Sequence, residues 1–161
     1  MRTPRLAACA LLALGLLAPL ASAETRTEFD RIVDFSVTLK TLSDAAAGRA
    51  APGAGRLVLL EGAVSEIVVL DDRPGSWTVR VELMAGEWVG VDEVRGYRCW
   101  VTFSGPAYAD LFPGEAPDEP SASYIPQHTR VLVLGRPRST VVTPLGERVM
   151  TVEGLAVRAS R

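Results

Sequence analysis

Apolar and polar residues alternate in short runs along most of this chain, the pattern of half-buried β-strands. Trp77, Val79, Val81 and Leu83 alternate with Thr78, Arg80 and Glu82, which predicts one strand with an apolar and a polar face. Ahead of it, Leu57 to Leu70 reads as one long strand. Gly62 inside it marks a bulge or sharp bend, and Asp71-Asp-Arg-Pro-Gly75 supplies the turn between the two. A third strand is expected from about Tyr97 to Phe103. Tyr97, Cys99, Val101 and Phe103 share one face, and Arg98, Trp100 and Thr102 the other. Residues 86–96 form a connection of undecided form, and residues 104–127 a proline-rich, acidic stretch with one helical turn around Ala107 to Phe112. A fourth strand spans Arg130 to Leu134 and ends at Gly135. A loop containing Pro137 and Pro144-Leu-Gly146 then leads to a fifth, about Arg148 to Val157, in which Gly154 shifts the alternation.

The N-terminal third carries two overlapping patterns. Ile32, Phe35, Leu39, Leu42 and Ala46 are spaced for one helix face, behind a capping box at Thr25-Arg-Thr-Glu28. Val33, Phe35, Val37 and Leu39 also alternate with polar residues, as a strand would. The capping signals and Gly48 after Ala45-Ala46-Ala47 decide for a helix. Residues 48–55 are small residues and breakers, a linker. The expected organisation is a segment 1–23, a helical segment 24–47, the linker 48–55 and a β-domain 56–161. The expected fold is mainly β: a small five-stranded OB-like barrel preceded by an N-terminal helix. A long, glycine-bent first strand and an irregular segment between the third and fourth strands fit that order. Other five-stranded barrels and small sandwiches share the pattern.

Charge and small residues at the start change the picture. Arg2 and Arg5 precede an uncharged run from Leu6 to Leu20, and Ala21-Ser22-Ala23 places small residues at −3 and −1 of a cut before Glu24. This is the secretory pattern, and the run is short of the roughly 20 residues that span a bilayer. The expectation is an exported protein without a transmembrane anchor after cleavage, in the periplasm or, alternatively, the medium. Losing Arg2 and Arg5 takes the formal charge from −2 to −4. A negative total and an exported location exclude a partner such as bulk nucleic acid, whose broad binding needs a basic surface. Cys99 is then the one cysteine, which rules out an internal disulfide.

Val58-Leu-Leu-Glu-Gly62 and Thr129-Arg-Val-Leu-Val-Leu-Gly135 resemble strand signatures of small exported bacterial OB-fold proteins, the periplasmic OB-fold family. The resemblance covers about residues 57–157 and implies ligand binding rather than catalysis. The stretch 104–127 is longer than that family's pattern. The haem chaperone of cytochrome c maturation is another exported OB-fold. Its haem-attaching histidine near the C-terminus, with a tyrosine after it, has no counterpart here: His128 precedes the fourth strand and no tyrosine follows.

Candidate chemistry is sparse. One histidine, His128, supplies no triad. His128 and Cys99 lie in unrelated segments and make no zinc site, and Asp71, Asp72, Glu115, Asp118 and Glu119 lack a calcium-loop spacing and read as turn acids. No catalytic residue, metal or cofactor is expected. The informative position is Trp100, an aromatic on the polar face of its strand beside Arg98 and Thr102, with Arg80 on the neighbouring strand. OB-folds bind on the face of strands two and three, flanked by the loops between strands one and two and between four and five; here those loops bring Asp72, Arg73, Arg138 and Thr140. The expected ligand contacts are Trp100, Arg98, Arg80, Thr102 and Arg138. The alternative is that the N-terminal segment covers Trp100. The function expected is a non-enzymatic binding or adaptor module of the cell envelope, with an envelope protein as partner. A small-ligand or oligosaccharide binder is the second reading, and an unrecognised enzyme the third. Export has a direct measure: intact-mass analysis of material from the native host should show residues 24–161, and retention of Met1 or Arg2 in the bulk would refute it.

Overall fold

The structure, a computed structural model, describes residues 29–49, 55–73, 75–118 and 121–160. The chain divides after Ile32 into two units. Of the first, residues 29–32 are described and form a helical turn; the capping box at Thr25–Glu28 and the segment 1–23 lie outside the described residues. The second unit starts with β1 (Val33–Asp34) and α1 (Leu39–Ala46). It continues with β2 (Leu57–Asp71), β3 (Thr78–Val89), β4 (Glu93–Ser104), β5 (Arg130–Val142) and β6 (Arg148–Ala159). Both N-terminal patterns therefore have a share. Val33 and Asp34 are strand, paired in parallel with Leu57 and Val58. The Asp34 carboxylate then accepts from the Ser36 N–H and hydroxyl and turns the chain. Thr38 opens α1 with reciprocal Thr38 and Thr41 side-chain caps.

β2 to β6 are the five expected strands, and they close on themselves. The sheet order is β1-β2-β3-β4-β6-β5, and β5 pairs back onto β2. β2 makes this possible by serving two neighbours. Residues Val58 to Ala63 pair with β5, and Ala63 to Asp71 pair with β3. β4 and β6 run parallel from Cys99↔Met150 to Thr102↔Glu153; the other barrel pairs are antiparallel. A mainly β, five-stranded barrel with this strand order is the OB-fold.

Inward residues follow the alternation: Val79, Val81 and Leu83 face Cys99, Val101 and Phe103 across the β3–β4 ladder, and all are buried. α1 turns Leu39, Leu42, Ala45 and Ala46 into the same core. Gly62 lets it approach: a Cβ there would stand 2.9 Å from the Leu39 Cδ1 and 3.2 Å from the Met84 carbonyl oxygen. The segment after β4 carries a short 3-10 turn (Pro106–Tyr108) and brings Phe112 onto Phe103 with ring centroids 5.5 Å apart. Cys99 is fully buried, and that burial pushes its thiol well above the ordinary range. A buried, protonated thiol is inert.

Three strands run past their expected ends. β3 and β4 extend as one hairpin arm through Gly86↔Gly96, Trp88↔Val94 and Val89↔Glu93. Residues on this arm are largely exposed, so no buried face imprinted a periodicity on 86–96. β5 continues through Gly135 and Pro137 to Val142. Pro137 is tolerated because the ladder breaks beside it, where Arg138 and Ser139 together oppose Thr151 in a bulge. On β6 a second bulge at Leu155 shifts the alternation after Gly154. Gly154 is covered by the Phe103 ring, which a Cβ there would overlap. Gly154→Ala should therefore destabilise by about 1–3 kcal/mol, the usual penalty of overpacking. The measurement is a lowered denaturant midpoint at unchanged slope. An unchanged midpoint would mean that Phe103 can move aside.

Candidate functional site

The outer surface of β3, β4 and β6 carries one connected polar layer. Glu82 stands opposite Trp100, Arg80 opposite Thr102, and Met84 opposite Arg98. On β6, Thr151 is beside Trp100 and Glu153 beside Thr102. Trp100 is half-buried and points away from the core, as strand alternation requires. The Arg80 guanidinium carbon lies 4.3 Å from the centre of its ring. Its indole N–H donates to Glu82 at 3.4 Å.

Glu82 organises the layer. Besides the indole, its carboxylate accepts from the Ser65 hydroxyl at 2.5 Å and from Arg98 at 3.3 Å. Its side chain is 11% exposed. A carboxylate so enclosed needs its acceptor capacity filled, and Ser65, Arg98 and Trp100 fill it. Arg98 is held at both ends. Its backbone N–H and carbonyl, just before pairing with β6 begins, bond the Ser43 hydroxyl of α1. Its guanidinium also contacts Glu147 from the turn between β5 and β6. That turn is closed by Gly146 N–H to the Thr143 carbonyl at 2.8 Å and by Thr143 N–H to the Glu147 carbonyl at 2.8 Å.

The five candidate residues fall as follows. Trp100, Arg98 and Thr102 share the outer face of β4, and Arg80 lies on the outer face of β3. Arg138 lies in the β5 bulge rather than in a loop, where it contacts Glu153; Arg136 approaches the same carboxylate at 3.8 Å. The loop between β5 and β6 is 143–147, shorter than the alternation implied because β5 runs on. Arg73, in the turn between β2 and β3, is engaged by Asp71 through its Nε at 2.9 Å and Nη2 at 2.6 Å. Those donors hold the Asp71 carboxyl well below the usual carboxylate range. Sequence reasoning placed Glu82 on the polar face but gave it no role, and it missed Glu147. An acidic residue on a polar face carries no signal until its cross-strand partners are known. α1 turns its apolar residues into the core; of the N-terminal segment that could cover Trp100, residues 24–28 lie outside the described residues. Among the described residues there is no cluster of His, Cys, Asp or Glu able to hold a metal ion, and no helix long and apolar enough to cross a membrane.

No protein-family model matches this chain, and no curated protein matches it. Solved structures do. A small single-stranded DNA-binding protein from Streptomyces coelicolor matches at 15% identity and a TM-score of 0.41, over 65% of this chain and 91% of its own. PriB from Ralstonia solanacearum matches at 11% identity and a TM-score of 0.41, over 65% and 97%. The N-terminal domain of PriB from Thermoanaerobacter tencongensis matches at 18% identity and a TM-score of 0.39, over 65% and 96%. The exclusion of nucleic acid as a partner is corrected by these matches, which include a single-stranded DNA-binding protein. The physical error lay in using a total. Net charge sums over the whole surface, whereas single-stranded binding uses local cations and stacking rings. Arg80, Arg98, Arg136 and Arg138 gather on this one face of an acidic chain.

Position on the outer face fixes what removing Trp100 should do to stability. Trp100→Ala should cost about 1–2 kcal/mol, as for a half-buried side chain. Phe103→Ala should cost about 3–5 kcal/mol. Thermal melts of the two variants compare them directly. Equal losses would mean that Trp100 is a core residue.

Proposed function

We propose that this chain is an exported, non-enzymatic OB-fold binding module that engages its ligand on the outer face of β3 and β4, with Trp100 as the stacking platform. The observation that carries the reading is Arg80, stacked 4.3 Å over Trp100. Arg98 pairs with Glu82 and Glu147, and Arg136 and Arg138 pair with Glu153. Among the described residues Arg80 makes no ion pair. An exposed cation–π contact is worth about 0.5–1 kcal/mol. A nucleobase stacked on an aromatic side chain is worth about 1–3 kcal/mol. A planar ring can therefore displace Arg80 from Trp100, and the displaced guanidinium is then placed to bond an anionic group beside that ring. The ligand class is a chain that carries both rings and anionic groups, of which single-stranded nucleic acid is the plainest member. Thr102 and Arg138 border the same face and would contact the ligand's flanks.

The export half of the reading rests on residues 1–23 and is tested by the intact-mass measurement described above. The binding half is tested by fluorescence anisotropy of a labelled oligothymidylate at low salt. Trp100→Ala should weaken binding by at least about 30-fold, the loss of an anchor, with the fold retained and only the modest stability loss of a half-buried side chain. Binding that is absent, or indifferent to Trp100, would overturn it.

A further inference from the structure

We infer that Glu147 is an internal stand-in for the ligand's anionic group: it occupies Arg98 in the unliganded protein and must be displaced when ligand binds. The inference rests on the binding reading above and adds a mode of regulation to that face.

Arg98 is fixed by everything except Glu147. Ser43 holds its backbone and Glu82 holds one side of its guanidinium. Glu82 cannot leave without also releasing Trp100 and Ser65, which it accepts from at the same time. Glu147 differs in each respect. It comes from a separate turn, its side chain is 54% exposed, and Arg98 is the one partner that its carboxylate has among the described contacts. Arg98 itself keeps a third of its side chain exposed. It thus has one permanent carboxylate and one replaceable carboxylate.

The turn keeps its shape without the ion pair. Thr143, which is buried, accepts the Glu147 N–H at 3.2 Å through its hydroxyl, and two backbone bonds close the loop. Gly146 at φ +81° supplies the left-handed residue that the turn requires. Exchange of Glu147 for a ligand phosphate or carboxylate on Arg98 therefore swaps one charge-assisted bond for another without unfolding the hairpin. The device sets a threshold. A lone anion gains nothing over Glu147, while a ligand that also stacks on Trp100 gains the stacking and prevails.

The test is the same labelled oligothymidylate, with Glu147→Gln, Arg98→Gln and the double variant, each checked by thermal melt. Glu147→Gln should bind about tenfold more tightly, as expected for one freed charged donor. Its plot of log affinity against log salt should steepen by about 0.7, one additional phosphate contact on a single strand. The gain should vanish in the double variant. If it persists there, it reflects bulk charge and the inference falls. If Glu147→Gln changes nothing while Trp100→Ala still weakens binding, the inference falls and the binding reading stands. If Trp100→Ala has no effect on binding, the binding reading falls and takes the inference with it.

Discussion

Closure of the barrel depends on β2 changing its pairing partner along its length. β2 pairs with β5 up to Ala63 and with β3 from Ala63 onward, so the sheet has to coil through that residue. The preceding position leaves little room for a side chain. Gly62 sits where Leu39 of α1 and the Met84 carbonyl both come close. One missing Cβ thus admits both the coil of the strand and the helix that seals the core against it. With β2 coiled, β5 and β6 are carried round to β4, and the parallel β4–β6 pairing follows. The outer layer around Trp100 exists because β4 is flanked by β3 on one side and β6 on the other.

The candidate face shows how a protein stores polarity on a sheet surface. Its cations are held by carboxylates, Arg98 by Glu82 and Glu147, and Arg138 with Arg136 by Glu153. Pairs of this kind contribute little stability when solvated. They do hold long side chains in one arrangement, and Glu82 goes further by orienting the Trp100 indole. Arg80 alone leans on an aromatic face rather than on an acid. Because its side chains are already held in place, a ligand of such a face would lose less entropy in ordering them.

α1 has a comparable double role. Its apolar side chains complete the core, and its Ser43 hydroxyl satisfies the Arg98 backbone where β4 has not yet met β6. Lys40 at its start reaches Glu87 on the hairpin arm at 3.0 Å, and the Tyr97 hydroxyl donates to the same carboxylate. Helix, arm and candidate face therefore share side-chain contacts, so a change in α1 reaches Arg98 through one hydrogen-bonded residue.

The sequence by itself determined the strand count of the barrel, the inward set Val79, Val81, Leu83, Cys99, Val101 and Phe103, and the outward facing of Trp100. Period-two alternation is a local property: each residue declares its side wherever one face of a strand is buried. The same local reading lost the arm at 86–96, where neither face is deeply buried, and stopped β5 at Gly135, because a bulge that tolerates Pro137 depends on the partner strand. It also decided wrongly from total charge, since a sum over residues carries no position. The tertiary structure alone decided that Arg138 lies in a strand bulge against Glu153, that Glu82 joins Ser65, Arg98 and Trp100, and that Glu147 returns from a distant turn to Arg98. Those are pairings across strands. Cross-strand register follows from how β2 coils and where the bulges fall, which no single segment of the chain specifies.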